Sequence, residues 1–384
     1  MWFRDGASTF APSTDALFYY IFFVSLFFFV LLMALTAYWG VKYRRRPGVA
    51  APVSPSHNTP LELTWSIIPG LLMAVMFFWG ATSYLKKTVS PSDAEVIQVE
   101  AKRWAWDFTY PNGAGSLQQE RVADKLAPVF ALPVDQPVKF VINSVDVIHS
   151  FYIPEFRIKR DALPNRYTVA WAEPTRVTHR FNPDTKEAEP LEGEKGFYLF
   201  CAEYCGDQHA QMAHRIAVMT EPDYNAWLDA QLDTSSIPLV ELGETLSSAK
   251  GCKTCHSVDG SQGSGPSWLG IWGEPRLPTG GKSAVENEVG FNYIRESILN
   301  PSAYVKSGWP NNMPIYQGQF TSRELLAVAT YIQSLSAEHA DEAQRLSQRE
   351  LEERRDPAAP PDAEAIIESG GEIPPGADDD PGGG

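Results

Sequence analysis

At 384 residues the chain is longer than one average domain of roughly 100–200 residues, so two or three folded units are expected. The formal charge of −15 is unevenly spread: 14 acidic and 4 basic residues stand from Glu338 onward, so most of it says little about the folded surface. No broad basic stripe occurs, and no nucleic-acid partner is expected.

Residues 1–90 hold two long apolar runs. Residues 16–40 carry no charge over 25 positions, and residues 63–85 carry none over another 23, broken only by Pro69 and two glycines. Either run can cross a hydrocarbon core of about 30 Å as a helix. The first lacks a basic leader and exceeds the roughly 7–15 residues of a signal-peptide core, so a transmembrane hairpin is expected. Between the runs lie Lys42, Arg44, Arg45 and Arg46, against Arg4 before them and Lys86 and Lys87 after. The positive-inside rule puts that loop in the cytoplasm and both termini outside.

Residues 91–232 change texture. VIQVEAKRW, PVKFVINS, RYTVAWAE and RIAVMT alternate apolar and polar positions between turn residues, which predicts an all-β sandwich or barrel. A short helix over 222–233 and a linker, DTSSIP, close this unit. Residues 239–338 show apolar positions at helical spacing in LVELGETLSSAKGC, NYIRESILN and SRELLAVATYIQSL, so this unit reads as all-α. Residues 339–384 form a charged, acidic tail, largely disordered because so polar a Pro- and Gly-rich stretch buries too little to offset its ordering entropy.

The four cysteines come as two close pairs, Cys201 with Cys205 and Cys252 with Cys255. Spacing alone permits disulfides. The surroundings point elsewhere. CAEYCGDQHAQM (201–212) sets two thiols, an imidazole and a thioether within twelve residues, a soft donor set that suits copper in electron transfer. One cysteine suffices for one copper; two, four residues apart on a turn, let both thiolates bridge a pair. CKTCH (252–256) is CxxCH, which reads as covalent haem attachment, with a redox or zinc CxxC as the competing reading. Met313, in WPNNMPIYQG, is the last methionine of the chain and supplies a sixth ligand for a Met/His iron.

The stretch 201–212 resembles the CxExCxxxHxxM dinuclear copper (CuA) motif of cytochrome c oxidase subunit II, whose copper unit is a cupredoxin-like barrel. NSVDVIHSFYIPEFRIKRDALPNR (143–166) resembles the family's earlier histidine segment, with Pro164, Asn165, Arg166 where Pro-Gly-Arg is usual. The resemblance implies that Cys201 and Cys205 bridge the coppers and that His149 and His209 ligate one each. Met212 and the Glu203 carbonyl would be the weak ligands, with the Glu203 side chain toward a magnesium site shared with subunit I. RWAWDFTY (103–110) is similar to the family's aromatic stretch, whose first tryptophan, here Trp104, is where electrons arrive. Glu62, in LELTWSIIP, resembles the glutamate at the mouth of a proton path, although a carboxylate at a helix start is ordinary.

The α-helical unit resembles class I cytochromes c. GSGPSWLGIWG (263–273) is similar to their Gly-Pro loop, which implies that the Pro266 carbonyl holds the His256 ring. The combination is similar to caa-type oxidases. It implies a proton-pumping respiratory oxidase subunit in a bacterial inner (plasma) membrane, with both termini and the metal units periplasmic. Electrons would pass from an external donor, such as a cytochrome c or another periplasmic carrier, through haem c to CuA and on to subunit I. The alternative is a membrane-anchored electron carrier tied to no oxidase.

Overall fold

A computed structural model describes residues 4–48, 55–122, 125–275, 288–317 and 319–355. Helices α1 (Ala11–Lys42) and α2 (Thr59–Thr88) extend each apolar run by a few residues. At 1.5 Å per residue they measure about 48 and 45 Å, longer than the hydrocarbon core. They run antiparallel: the Trp79 indole donates to Ser13 Oγ at 3.1 Å and the Tyr20 hydroxyl to the Leu72 carbonyl at 3.3 Å. Phe23, Phe27, Phe29, Phe77 and Phe78 stay exposed, which is costly in water and favourable in lipid.

The hairpin is tied to the next unit at one end. Arg157 donates to both Asp15 carboxylate oxygens at 2.7 and 2.9 Å, and the Trp171 indole donates to the Lys86 carbonyl at 3.0 Å. The start of α1 and the end of α2 therefore meet the barrel. The basic segment after Lys42 lies at the opposite end.

The barrel begins with β1 (Glu95–Lys102), β2 (Ala105–Thr109), β3 (Gln119–Val122), β4 (Lys125–Pro128), β5 (Phe130–Pro133) and β6 (Val138–Ser144). It continues with β7 (His149–Ile153), β8 (Ile158–Ala162), β9 (Thr168–Ala172), β10 (His179–Asn182), β11 (Glu187–Pro190), β12 (Phe197–Cys201) and β13 (Ala213–Met219). One sheet has the order β2-β1-β6-β9 and the facing sheet β5-β13-β12-β7-β8, with β3–β4 and β10–β11 as hairpins. Strand β6 shows the period-two logic plainly: Val138, Phe140 and Ile142 are buried while Lys139 and Val141 are not. Phe130, Phe140 and Phe151 meet between the sheets with ring centroids 5.2–6.3 Å apart. Helix α3 (Glu221–Leu232) closes the bottom with buried Tyr224 and Trp227. This is the expected cupredoxin-like β unit.

The last unit is helical: α4 (Leu239–Ala249), α5 (Phe291–Leu299), α6 (Ser322–Ser334) and α7 (Ala340–Arg355). Helix α4 crosses α6 at Gly243, where a Cβ would stand 2.0 Å from the Ala327 carbonyl oxygen, so only glycine fits. Helix α6 opens on a reciprocal capping box between Thr321 and Glu324.

Helix α7 corrects the expectation of disorder from residue 339. Ala343, Ser347 and Leu351, four residues apart, are buried on one face. Arg323 binds Glu350 at 2.8 and 3.1 Å and also donates to the Thr234 and Ile237 carbonyls at 2.8 Å, clamping the linker. Three small or apolar positions are enough to dock a helix whose composition is otherwise that of a solvated tail. Residues 356–384 of the expected tail lie outside the described residues.

Candidate metal centre

His149 opens β7 and Cys201 ends β12; these strands are neighbours, which brings residues 52 apart in the chain face to face. After Cys201 the chain loops through Cys205, makes a 3-10 turn at His209–Gln211, and re-enters the sheet at β13 just after Met212. The donors form an orderly row. Cys201 Sγ lies 3.9 Å from His149 Nδ1, 3.2 Å from the Glu203 carbonyl and 3.9 Å from Cys205 Sγ. Cys205 Sγ in turn lies 3.5 Å from His209 Nδ1 and 3.9 Å from Met212 Sδ.

Two sulfurs thus stand at the centre, each flanked by one imidazole and one weaker donor. A sulfur separation of 3.9 Å is far beyond the roughly 2.05 Å of a disulfide, yet two metal–sulfur bonds of about 2.3 Å span it. The duplicated surroundings provide places for two ions. Within the pair, the hydrogen bond from Cys205, helped by His149 and backbone donors, holds the Cys201 thiol far below its ordinary value, and Cys205 is raised correspondingly. One thiolate is therefore ready for a soft metal.

Asp146 aims the first histidine. Its Oδ1 lies 2.9 Å from His149 Nε2, so Nδ1 faces the sulfurs, and the Arg103 and Val147 N–H groups hold the carboxylate at 2.8 and 2.7 Å. Sequence reading passed over Asp146; its signal was the Asp-x-x-His spacing on a turn. The neighbouring histidines are structural. Burial pushes His214 down to about 3, and its ring bridges the Pro128 carbonyl at 3.0 Å and the Trp106 N–H at 3.3 Å. His179 is buried between Thr178 and Glu120.

In the helical unit, Cys252, Cys255, His256, Pro266, Trp268 and Met313 line a cleft enclosing about 1160 Å³, part of it open to solvent. The Pro266 carbonyl accepts from His256 Nδ1 at 2.8 Å and the ring stacks on Trp268, leaving Nε2 as the free ligand atom. Burial lowers His256, which keeps the imidazole neutral. Gly265 is required beside it, because a Cβ there would approach the ring to 2.9 Å. A flat macrocycle with one histidine and one methionine ligand fits this donor set.

Three family models match in succession: cytochrome c oxidase subunit II, transmembrane domain, over residues 1–81; its periplasmic domain over 96–219; and cytochrome c over 240–336. The chain belongs to the cytochrome c oxidase subunit II family, with a cytochrome c domain fused at its C-terminal side. The alternative cytochrome c oxidase subunit 2 of Bradyrhizobium diazoefficiens is 29% identical over 232 residues, covering 55% of this chain and 77% of the relative. Cytochrome c oxidase subunit 2 of Alkalihalophilus pseudofirmus is 25% identical over 327 residues, 81% of this chain and 83% of its own. That of Bacillus subtilis is 27% identical over 318 residues, 78% and 81%. A subunit II of this kind is anchored in a membrane, partners subunit I, and carries CuA copper and haem c.

The two metal-bearing units of this subunit II touch. Gln208, inside the copper motif, donates from Nε2 to the Thr254 carbonyl, inside the haem motif, at 2.6 Å. Gly251, at φ +75°, packs on Ala105, where a Cβ would come within 2.7 Å. Trp104 is only 4% exposed; its indole donates to the Cys205 carbonyl at 3.1 Å, and a Cβ on Gly206 would come within 3.0 Å of its ring. Glu62 sits at the far end of the hairpin from the barrel, half-buried, accepting the Asn58 N–H at 2.9 Å as a helix cap.

Proposed function

We propose that Cys201 and Cys205 bridge the two coppers, that His149 and His209 ligate one each, and that Met212 and the Glu203 carbonyl are the weak donors. The observation that carries this is the unbroken row of donor contacts at 3.2–3.9 Å, with a cysteine at each centre. Cys252 and Cys255 attach the haem, and His256 and Met313 ligate it, with Pro266 fixing the histidine ring. When bound, both groups supply one-electron redox chemistry at a site whose ligands need move little.

The chain's own residues set the conditions for that chemistry. Asp146 holds His149 in one tautomer, and the buried Cys201, Cys205 and Met212 exclude water. Trp104 serves as an internal link beneath the haem unit rather than as a surface landing site, which its burial supports. The Glu203 side chain and Tyr204, 75% exposed, face outward beside the copper motif. They suit contact with subunit I and the shared magnesium site. Glu62, at the hairpin end that carries the basic segment, is suited to the mouth of a proton path on the cytoplasmic side. Both termini and the metal units then stand on the periplasmic face, where a cytochrome c or another carrier delivers electrons to the haem.

Metal and spectral analysis of the purified complex tests this reading. The chain should contribute one haem c and two coppers. Cys201→Ser should abolish the near-infrared copper absorption, and Met313→Ala should lower the haem potential by on the order of 0.1 V, a fraction of the roughly 0.8 V that axial ligands span. Persistence of either signal overturns the corresponding assignment, and a chain purifying without a larger oxidase subunit favours the free carrier.

A further inference from the structure

Where the cytochrome unit meets the barrel, four charged side chains cluster, one buried and three half-buried. Lys102 on β1 is 1% exposed, and its Nζ lies 2.7 Å from Asp107 Oδ2 on β2. Lys250, just after α4, reaches the same oxygen at 3.4 Å from the cytochrome side. Gln319, from the segment that leads out of the haem cleft into α6, donates to Glu100 on β1 at 2.6 Å and accepts from Lys102 at 3.5 Å. Tyr316 closes the cluster: its ring lies 4.3 Å under the Lys102 ammonium, and its hydroxyl donates to the Lys250 carbonyl at 3.0 Å. The cluster is neutral as a whole, with two lysines against Asp107 and Glu100.

We propose that this cluster is a latch that holds the cytochrome unit in one fixed orientation on the barrel, with Asp107 as its keystone. Asp107 is a positioning residue for electron transfer between the two metal sites. The inference rests on the metal assignments above and goes beyond them. Such charges add little net affinity, but they specify register, because any rotated arrangement of the cytochrome unit takes Lys250 away from Asp107 and Gln319 away from Glu100 and Lys102. Two further contacts fall on the same seam: Gln208 to Thr254, and Gln119 Nε2 to the Thr245 carbonyl, both at 2.6 Å. The linker adds no slack, since Arg323 grips it at Thr234 and Ile237. The fused cytochrome is therefore a docked relay, not a swinging arm. One electron crosses the seam per event, the haem being oxidised and the copper pair reduced, with no bond made or broken.

The test uses the intact oxidase complex and two variants. Asp107→Asn removes the keystone charge, and Lys250→Met cuts only the cytochrome arm, leaving the Lys102–Asp107 pair to keep the barrel folded. Haem c and near-infrared copper absorption are recorded first; loss of either from the wild-type complex overturns the metal reading and the latch with it. An electron is then injected photochemically into the haem and its arrival at copper is timed at several glycerol concentrations. The wild-type rate should be single-exponential and indifferent to viscosity. In each variant with both absorptions intact, it should fall about tenfold or more and become viscosity-dependent, as a transfer gated by domain motion would. Variants that keep the wild-type rate and its indifference, or a wild-type rate that itself follows viscosity, overturn the latch.

Discussion

In the barrel, His149 and Cys201 sit on strands β7 and β12 and Met212 adjoins β13; in the cytochrome unit, Cys252 opens a single 3-10 turn and His256, Pro266 and Met313 lie in irregular segments. The sheet fixes His149, Cys201 and Met212 by backbone pairing, and Cys205 and His209 stand on the short loop between its strands β12 and β13. Among the described residues, the helical unit lines its cleft with parts of two helices, Ile294 and Ile298 of α5 and Val328 and Ile332 of α6, and otherwise with loops. A sheet can prebuild a small inorganic site. A short helical shell must be completed by its prosthetic group.

The largest expected effect comes from removing that group. Cys252→Ser with Cys255→Ser should abolish donor-driven oxygen consumption and leave residues beyond 239 sensitive to protease, while the near-infrared copper absorption survives. A cytochrome unit that stays protease-resistant without haem breaks the comparison. On the barrel side, Asp146→Asn should weaken copper retention against a chelator by about 10–100-fold, the usual effect of an orienting partner of a ligand histidine, with little change in melting temperature. A collapse of the fold instead would mean that the site is not prebuilt.

The smallest expected effect is that of pH on the seam. Burial raises Asp107, but Lys102 and Lys250 outweigh it and hold the carboxyl below its ordinary value. Burial lowers Lys250, but Asp107, Glu324 and Glu100 together outweigh it and hold the amine above its ordinary value. A depressed carboxyl contributes fully above about pH 3.9 and is lost as pH falls through its lower folded value; a raised amine contributes fully below about pH 10.4 and is lost as pH rises through its higher one. Glu100, which burial pushes up, works the other way and loses its charge first on acidification. The haem-to-copper rate should therefore fall on acidification as Glu100 and then Asp107 lose their charges, and on strong alkalinisation as Lys250 does, and a loss that follows neither pattern would show that other groups hold the seam.

Much of this was legible in residue order. Two uncharged runs of 25 and 23 residues announce the hairpin, and alternation in PVKFVINS reappears as the buried face of β6. The sulfur and imidazole side chains from Cys201 to Met212 and the CKTCH stretch were readable as candidate sites because their spacing is local. Helix α7 was missed because three buried positions are invisible in an acidic composition.

By itself, then, the sequence determined which metals the chain can hold and which segments can lie in lipid, since both depend on residue type at short spacing. The tertiary structure alone decided how the two centres are joined. Asp107 and Lys250 are 143 positions apart, Gln319 and Glu100 are 219 apart, and Gly243 matters only because α6 passes over it. Each is an ordinary residue type whose role comes from a neighbour distant in the chain, and no local pattern carries that pairing.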